Sequence, residues 1–279
     1  MIPVYRGISE KMRGSGAVTL LRSVWAHRML VNELSRREIS DVHAGEAGGV
    51  IWAIVHPLMY FVIFAFLFTT VFKVRIGDRG PTDYMVYLFA GLAPWLMTQD
   101  VLSRATTIMV GNSSIVKKVI FPTEALVAKS LLASIRVQGI LLAVVILYAI
   151  WVRDTVPLSF LLLPVAVVLH VFLMWGLALL LSVSTPYFRD IAEFVRVFLL
   201  VNIYLIPIMY LPNMVPEGLR FVLFANPFSH LVWCYQDVLY FNEIQHRLSW
   251  VVLSVFSIAA VLFGSYVFNR LKYHLPSVI

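Results

Sequence analysis

Few residues in this sequence have the types and spacing that catalysis requires. The sequence contains no G-x-x-x-x-G-K-[ST] phosphate-binding loop and no H-E-x-x-H zinc motif, so neither ATP binding by that loop nor hydrolysis at such a zinc site is indicated. The seven histidines are spread over different segments, and a single cysteine, Cys234, forms neither an intramolecular disulfide nor a metal site alone. We therefore expect a chain that is not an enzyme and that binds no cofactor or metal itself.

A lone carboxylate, Asp100, lies within an otherwise apolar stretch and could act as a proton relay. Arg104 follows four residues later, so the two side chains share one face of a helix and can form an ion pair. This spacing favours a structural pair over proton transport.

A short amphipathic run, NSSIVKKVIFPTE at 112–124, separates two long apolar segments. Its serines can cap a helix, and Pro122 ends that helix within about two turns. At about 100° per residue, Lys117, Lys118 and Phe121 share the face opposite the aliphatic residues. An exposed aromatic beside two lysines fits the socket of a partner protein, although a solvated basic loop fits the same pattern.

Composition places the 279-residue chain in a membrane. It is 60% apolar, has 13% charged residues, and has a mean hydropathy of +0.85. The net charge is +7, but the basic residues lie at the ends of apolar segments and not on one soluble domain, so the charge indicates membrane topology and not nucleic-acid binding. We predict an all-α polytopic membrane protein.

Two regions are predicted. Residues 1–49 form a cytoplasmic N-terminal region, in which 19–40 has the pattern of an amphipathic helix lying in the headgroup plane; a soluble helix packed on another domain is the alternative. No cleavable signal peptide is visible in the first eighteen residues. Residues 50–279 form the transmembrane domain.

Six spans are predicted, at about 50–72, 84–108, 124–151, 157–184, 195–211 and 249–269. In the region 212–247, Asn226-Pro227 and His230 cut an apolar run into pieces too short to cross, which favours re-entrant half-helices on the outer side. Thr185-Pro186 predicts the start of a second short amphipathic helix on the inner side. Most of the 22 Lys and Arg residues then lie inside, which favours cytoplasmic termini.

Five stretches resemble one known family. They are YLFAGLAPW at 87–95, NSSIVKKVIFPTEAL at 112–126, PYFRDI at 186–191, ANPFSHLVWCYQDVL at 225–239 and FNRLKYHLP at 268–276. Together they resemble the membrane subunits of ABC-2-type polysaccharide exporters, and among these the branch that exports lipid-linked O-antigen. Corresponding pieces occur in order along nearly the whole chain from Leu30.

The resemblance implies a homodimer in the bacterial inner membrane, joined to two ABC ATPase subunits that bind ATP and Mg. The exported cargo would be an undecaprenyl-diphosphate-linked polysaccharide. The resemblance also implies that the short inner helices couple to the ATPase, with the contact residues Lys117, Lys118, Phe121, Tyr187, Phe188, Arg189 and Asp190. In one respect the sequence departs from the family: a basic R-x-x-x-R-Y-R-x-S-x-L-G stretch is replaced by EISDVHAGEAGG after Arg37, which leaves Arg36 and Arg37 as the candidates for contacting the lipid diphosphate.

Aromatic residues at helical spacing could line a path for sugars, because sugar rings stack on aromatic faces. The candidates are Tyr60, Phe64, Phe68, Tyr87, Trp95 and Tyr204. Aromatic residues in spans also face lipid, the core or the interfacial belt. Two other classes remain: an exporter of teichoic acid, capsule or drugs in the same family, and a membrane glycosyltransferase, which would need a long acidic or metal-binding loop that the sequence lacks.

Overall fold

The computed structural model describes residues 16–42, 48–73, 80–117 and 121–279, and these residues form helices and turns with no β-strand among them. The long helices are α3 (Trp52–Ala65, continued by a π-helical turn, Phe66–Val71), α4 (Pro81–Gly111), α6 (Thr123–Arg153), α7 (Leu163–Ser184, preceded by a 3₁₀ turn, Leu158–Leu162) and α11 (Arg247–Leu271). The shorter helices are α1 (Ala17–Ala26), α2 (Arg28–Val42), α5 (Ser113–Val116), α8 (Asp190–Leu205), α9 (Arg220–Ala225), α10 (Pro227–Gln236, followed by a π-helical turn, Asp237–Phe241) and α12 (Leu275–Val278).

Within the described residues, five helices are long and apolar enough to cross a membrane. They are α3 with its π-helical turn, α4, α6, α7 with its 3₁₀ turn, and α11 continued through α12 to Val278. The predicted fifth span at 195–211 is not among them, because α8 has 16 residues and ends at Leu205. The chain is a multi-pass, all-helical membrane protein, and the sixth crossing stays a prediction.

Cross-helix contacts give the directions of the long helices. The Ser257 hydroxyl donates to the Leu169 carbonyl at 2.9 Å, and the Tyr187 hydroxyl donates to the Leu271 carbonyl at 3.1 Å, so α7 and α11 run parallel. The Asp100–Ser134 contact of 2.5 Å shows, together with an Arg153–Asp83 ion pair, that α6 runs antiparallel to α4. Helix α1 lies at the end of the bundle where α4, α7 and α11 terminate. We call this end the α1 end and the opposite end the far end.

Glycines allow α7 and α11 to touch along their backbones. A Cβ placed on Gly264 would overlap the carbonyl oxygen of Gly176, and a Cβ on Gly176 would overlap the backbone of Ala260. Small residues at such a crossing are what close packing of membrane helices requires. The contact therefore fixes the separation of the two helices.

Gly264→Ala is expected to destabilise the protein, because the added methyl group forces α7 and α11 apart. Overpacking of this kind costs about 1–3 kcal/mol. Gly139→Ala is the matched control, since a Cβ at Gly139 meets nothing within 4 Å. Thermal unfolding in detergent measures both variants, and equal stability of the two would contradict the proposed packing.

The predicted N-terminal amphipathic helix is divided in two. α1 ends at Ala26, and the Nδ1 atom of His27 lies 2.8 Å from the Ser23 carbonyl oxygen. Leu20 and Val31, from the predicted apolar side, are buried. Both helices pack on α6.

Helices α9 and α10 form a helical hairpin whose vertex is Asn226-Pro227. The Asn226 side chain accepts from the Phe228 amide at 3.0 Å, which caps α10. The Phe228 ring lies 5.9 Å from Trp95 and 6.3 Å from Phe256, between centroids, so the vertex lies beside the middle of α4. The vertex of the hairpin therefore lies between the long helices α4 and α11.

The predicted second break in this region, at His230, is wrong, because α10 continues through it to Gln236. The His230 ring contacts the Ser249 hydroxyl and the Phe224 carbonyl, each at 2.9 Å. Both ring nitrogens therefore have partners without a break in the helix.

Candidate functional site

A charge network at the α1 end joins α2 to α4 and α6. Arg104 contacts Asp100 at 2.8 Å, which is the predicted ion pair, and also Glu38 of α2 at 3.5 Å. Glu38 lies 3.2 Å from the Lys129 ammonium of α6. Asp100 accepts hydrogen bonds from Arg104 and from the Ser134 hydroxyl, so this carboxylate is held in a structural network.

Two further contacts attach the N-terminal helices to α6. The Ser23 hydroxyl donates to Glu124 at 2.6 Å, and Glu124 also lies 3.7 Å from the Lys272 ammonium. Arg136 donates to the Ser35 hydroxyl at 2.8 Å. Glu38–Lys129, which joins α2 to α6, and Glu124–Lys272 are largely shielded from solvent, so loss of one partner of either pair would leave a buried charge unpaired.

The first predicted coupling element is shorter than its sequence pattern indicated. α5 consists of a single turn, in which the Lys117 amide donates to the Ser113 carbonyl at 3.0 Å and Val116 is buried. Lys117 is exposed, whereas Phe121 is half-buried and packs against the core. Lys118 lies outside the described residues. Because α5 ends before Phe121, the predicted shared helical face of Lys117 and Phe121 is wrong.

The second predicted coupling element begins later than its sequence pattern indicated. The Thr185 amide and hydroxyl donate to the Leu181 carbonyl at 3.0 and 2.8 Å, so Thr185 is the C-cap of α7 and does not start a new helix. The next helix, α8, begins at Asp190 and continues to Leu205. The prediction of a separate short helix at 186 is therefore wrong, and 186–189 form a turn.

Side chains of this turn face in two directions. Phe188 is 69% exposed, and Arg189 and Asp190 are exposed beside it. Tyr187 instead turns inward to bond the Leu271 carbonyl, and burial raises the pKa of its phenol. The exposed part of the turn is thus one aromatic next to two opposite charges.

A polar cavity of about 270 Å³ opens between α3, α4 and α6. It is lined by His56, Pro57, Tyr60, Leu96, Gln99, Asp100, Ser103 and Gln138. Gln138 is 7% exposed, and among the described residues its Oε1 atom has no hydrogen-bond partner. The volume approaches that of small ligand pockets, about 300 Å³, and the amide, hydroxyl and carboxylate groups are the kind that bind sugar hydroxyls.

Sequence reasoning did not identify this cavity. Gln99 and Gln138 lie within predicted apolar spans, where polar side chains are rare and usually functional. Their position in predicted spans was therefore the sequence signal from which Gln99 and Gln138 could have been identified.

The six aromatic candidates for a sugar path are separated by the fold. Tyr60, at the polar cavity, and Tyr204 are exposed. Tyr87 is buried, with its hydroxyl bonded to the Pro207 carbonyl at 3.0 Å, and Trp95 is buried against the helical hairpin. Tyr87 and Trp95 are thus core residues of this chain.

The other candidates from sequence lie in two further places. Phe64 and Phe68 are half-buried on α3, with ring centroids 6.2 Å apart. Arg36 and Arg37 are exposed on α2, and Arg37 pairs with Glu33 at 3.1 Å. The structure therefore does not bring all the candidate side chains to one site.

Helix α3 is largely uncovered by the rest of the chain. Only 6% of its most apolar stretch is buried, and α8 likewise exposes large apolar side chains, including Phe194, Leu200 and Tyr204. Such surfaces face lipid or another protein chain.

Comparison with known proteins identifies one family. Residues 29–240 match the family described as ABC-2 type transporter. The chain is similar to two O-antigen export system permease proteins RfbA of Klebsiella pneumoniae, at 25% identity over 236 residues (83% of this chain, 87% of the relative) and 23% over 251 residues (88% and 93%). It is also similar to the protein of the same name from Myxococcus xanthus, at 23% over 258 residues (90% and 96%).

Proposed function

This chain belongs to the ABC-2 type transporter family, and from that premise we propose that it is the membrane subunit of an ATP-driven exporter of undecaprenyl-diphosphate-linked O-antigen. The observation that carries the proposal is its similarity to three O-antigen export permeases over 83% to 90% of the chain. The exporter resides in the bacterial inner membrane and moves its cargo out of the cytoplasm.

The energy comes from a separate ABC ATPase, of which two copies bind a homodimer of this chain. The sequence contains no phosphate-binding loop of the Walker type, so ATP and Mg bind the partner. Lys117, Phe188 and Arg189, exposed at the α1 end, supply the docking surface. The uncovered faces of α3 and α8 support pairing with a second copy.

The polar cavity receives a sugar of the cargo on its way into the exporter. The Gln99 amide, the Asp100 carboxylate and the Ser103 hydroxyl line it and match the donors and acceptors of a sugar ring. Tyr60 offers a ring face at the same cavity, and the exposed Arg36 and Arg37 are the candidates for the lipid diphosphate.

Six crossings with cytoplasmic termini complete the proposal. Because α7 and α11 run parallel, the chain must return from the α1 end to the far end between them, and α8 is the longest helix of that return. The hairpin of α9 and α10 then enters the bilayer from the outside and leaves on the same side.

Single-cysteine labelling tests this topology. We expect Asp154→Cys to react with an impermeant maleimide from outside, and Lys117→Cys and His274→Cys to react only after the cytoplasmic side is opened. The native Cys234 is buried, so it adds little background. Labelling of His274→Cys from outside would contradict the six-span topology.

Deletion of the gene tests the function. In the bacterium that encodes the chain, we expect loss of O-antigen from the cell surface and accumulation of the lipid-linked glycan inside, both reversed by the intact gene. Loss of capsule or teichoic acid with O-antigen unchanged would assign the chain to another exporter of the same family.

A further inference from the structure

An apolar groove of about 570 Å³ lies between the N-terminal helices and the pair α6 and α7. Its walls include Leu21 and Val24 of α1, Leu131 and Leu132 of α6, and Val171 and Phe172 of α7. It shares no lining residue with the polar cavity, which lies between α3, α4 and α6. The groove is therefore a second and separate opening at the α1 end.

Positive charge lies at this groove without any negative charge. Among the described residues that line the groove, the charged ones are Arg22 and Arg28, and none is Asp or Glu. Both arginines are exposed. The Arg28 guanidinium carbon lies 5.2 Å from the centre of the Trp25 ring, which holds that cation beside an aromatic at the groove. The combination is complementary to a ligand with an apolar chain and an anionic head.

The surroundings of the groove are those of a helix in a headgroup layer. Val18, Trp25 and Met29 of the N-terminal helices are strongly exposed close to the two arginines. Large apolar residues and Trp next to Arg are typical of helices that lie at the bilayer surface. The opening thus faces the lipid of the leaflet at the α1 end.

We propose that this groove binds one anionic phospholipid of the surrounding membrane, with an acyl chain between α1 and the α6–α7 pair and the phosphate at Arg22 and Arg28. The stretch of α6 that lines it, from Ala128 to Ile135, is about 10 Å long at 1.5 Å per residue. That length suits part of an acyl chain. The lipid attaches α1 to the bundle whatever cargo the chain exports.

Native mass spectrometry of the delipidated full chain in detergent tests the site. We expect one dioleoyl-phosphatidylglycerol to bind about 10-fold or more tightly than dioleoyl-phosphatidylcholine, since each arginine near the surface contributes to anionic-lipid binding. The double variant Arg22→Gln/Arg28→Gln should remove this preference. Arg196→Gln, which alters an exposed arginine of α8 outside the groove, should keep it.

A variant that fills the groove tests the acyl-chain contact independently of charge. Val171→Phe should weaken the binding of both lipids while the thermal unfolding temperature stays near that of the wild type. Equal binding of the two lipids, no effect of the arginine double variant or no effect of Val171→Phe would overturn the proposal. Displacement of phosphatidylglycerol by undecaprenyl phosphate would make the groove a cargo site. Lipid binding that appears only after removal of residues 1–15 would make the occupant the chain's own N-terminus. Either result would also overturn the proposal.

Discussion

Phe188→Ala is expected to weaken pairing with the ATPase about 30-fold while the chain still inserts and folds. Phe188 is 69% exposed in the turn between α7 and α8, so its loss removes no internal packing. An aromatic anchor that fills a partner's pocket contributes about 2 kcal/mol or more, or roughly 30-fold in affinity. Co-purification with the ATPase and stimulated ATP turnover measure the effect.

Two other phenylalanines are the controls for this prediction. Phe221→Ala removes a ring with similar exposure, 65%, from α9, and it should leave ATPase pairing intact. Phe121→Ala should lower thermal stability more than pairing, because Phe121 packs against the core. If Phe188→Ala pairs normally and a stable Phe121→Ala does not pair, the aromatic anchor is Phe121, as the sequence pattern predicted, and not Phe188.

Ser103→Trp is expected to reduce export to below about a tenth of the wild-type rate, since access to the site would be blocked sterically. Ser103 is exposed and lines the polar cavity, so a large ring fills the cavity without displacing the core. Pairing with the ATPase should be unchanged, because no residue of the 186–189 turn lines the cavity. Surface O-antigen in a complemented deletion strain measures the effect.

Thr107→Trp is the matched control, one turn further along α4. Thr107 is exposed and does not line the cavity, so the same bulky side chain should leave export near normal. Equal loss of export in both variants would show that added bulk on α4 is harmful in itself. Full export by Ser103→Trp would remove the cavity from the sugar path.

The long helices could be predicted from the sequence because each apolar run exceeds what a crossing needs. The span predicted at 124–151 is Thr123–Arg153, and that predicted at 84–108 is Pro81–Gly111. The Asp100–Arg104 pair followed from helical spacing alone. An apolar span and an ion pair four residues apart on a helix depend only on residues close in sequence and on the surrounding solvent.

The features that were missed depend on residues distant in sequence. Thr185-Pro186 has the local signal of a helix start, but Thr185 bonds back to Leu181 and is the C-cap of α7. Spacing placed Tyr87 and Trp95 on a common helix without showing that the 207–210 segment and the α9–α10 hairpin would cover them. Glu38 joins α2 to Lys129 and Arg104 across 91 and 66 residues, which no periodic pattern reveals.

Transport by the purified chain in proteoliposomes, with and without its ATPase, tests the central claim most directly. The proposal predicts no ATP turnover by the contaminant-free chain alone, and ATP-dependent movement of undecaprenyl-diphosphate-linked O-antigen across the bilayer when the ATPase is present. ATP hydrolysis by the isolated chain, or a complete complex that hydrolyses ATP in the presence of this cargo without moving it, would contradict the proposal.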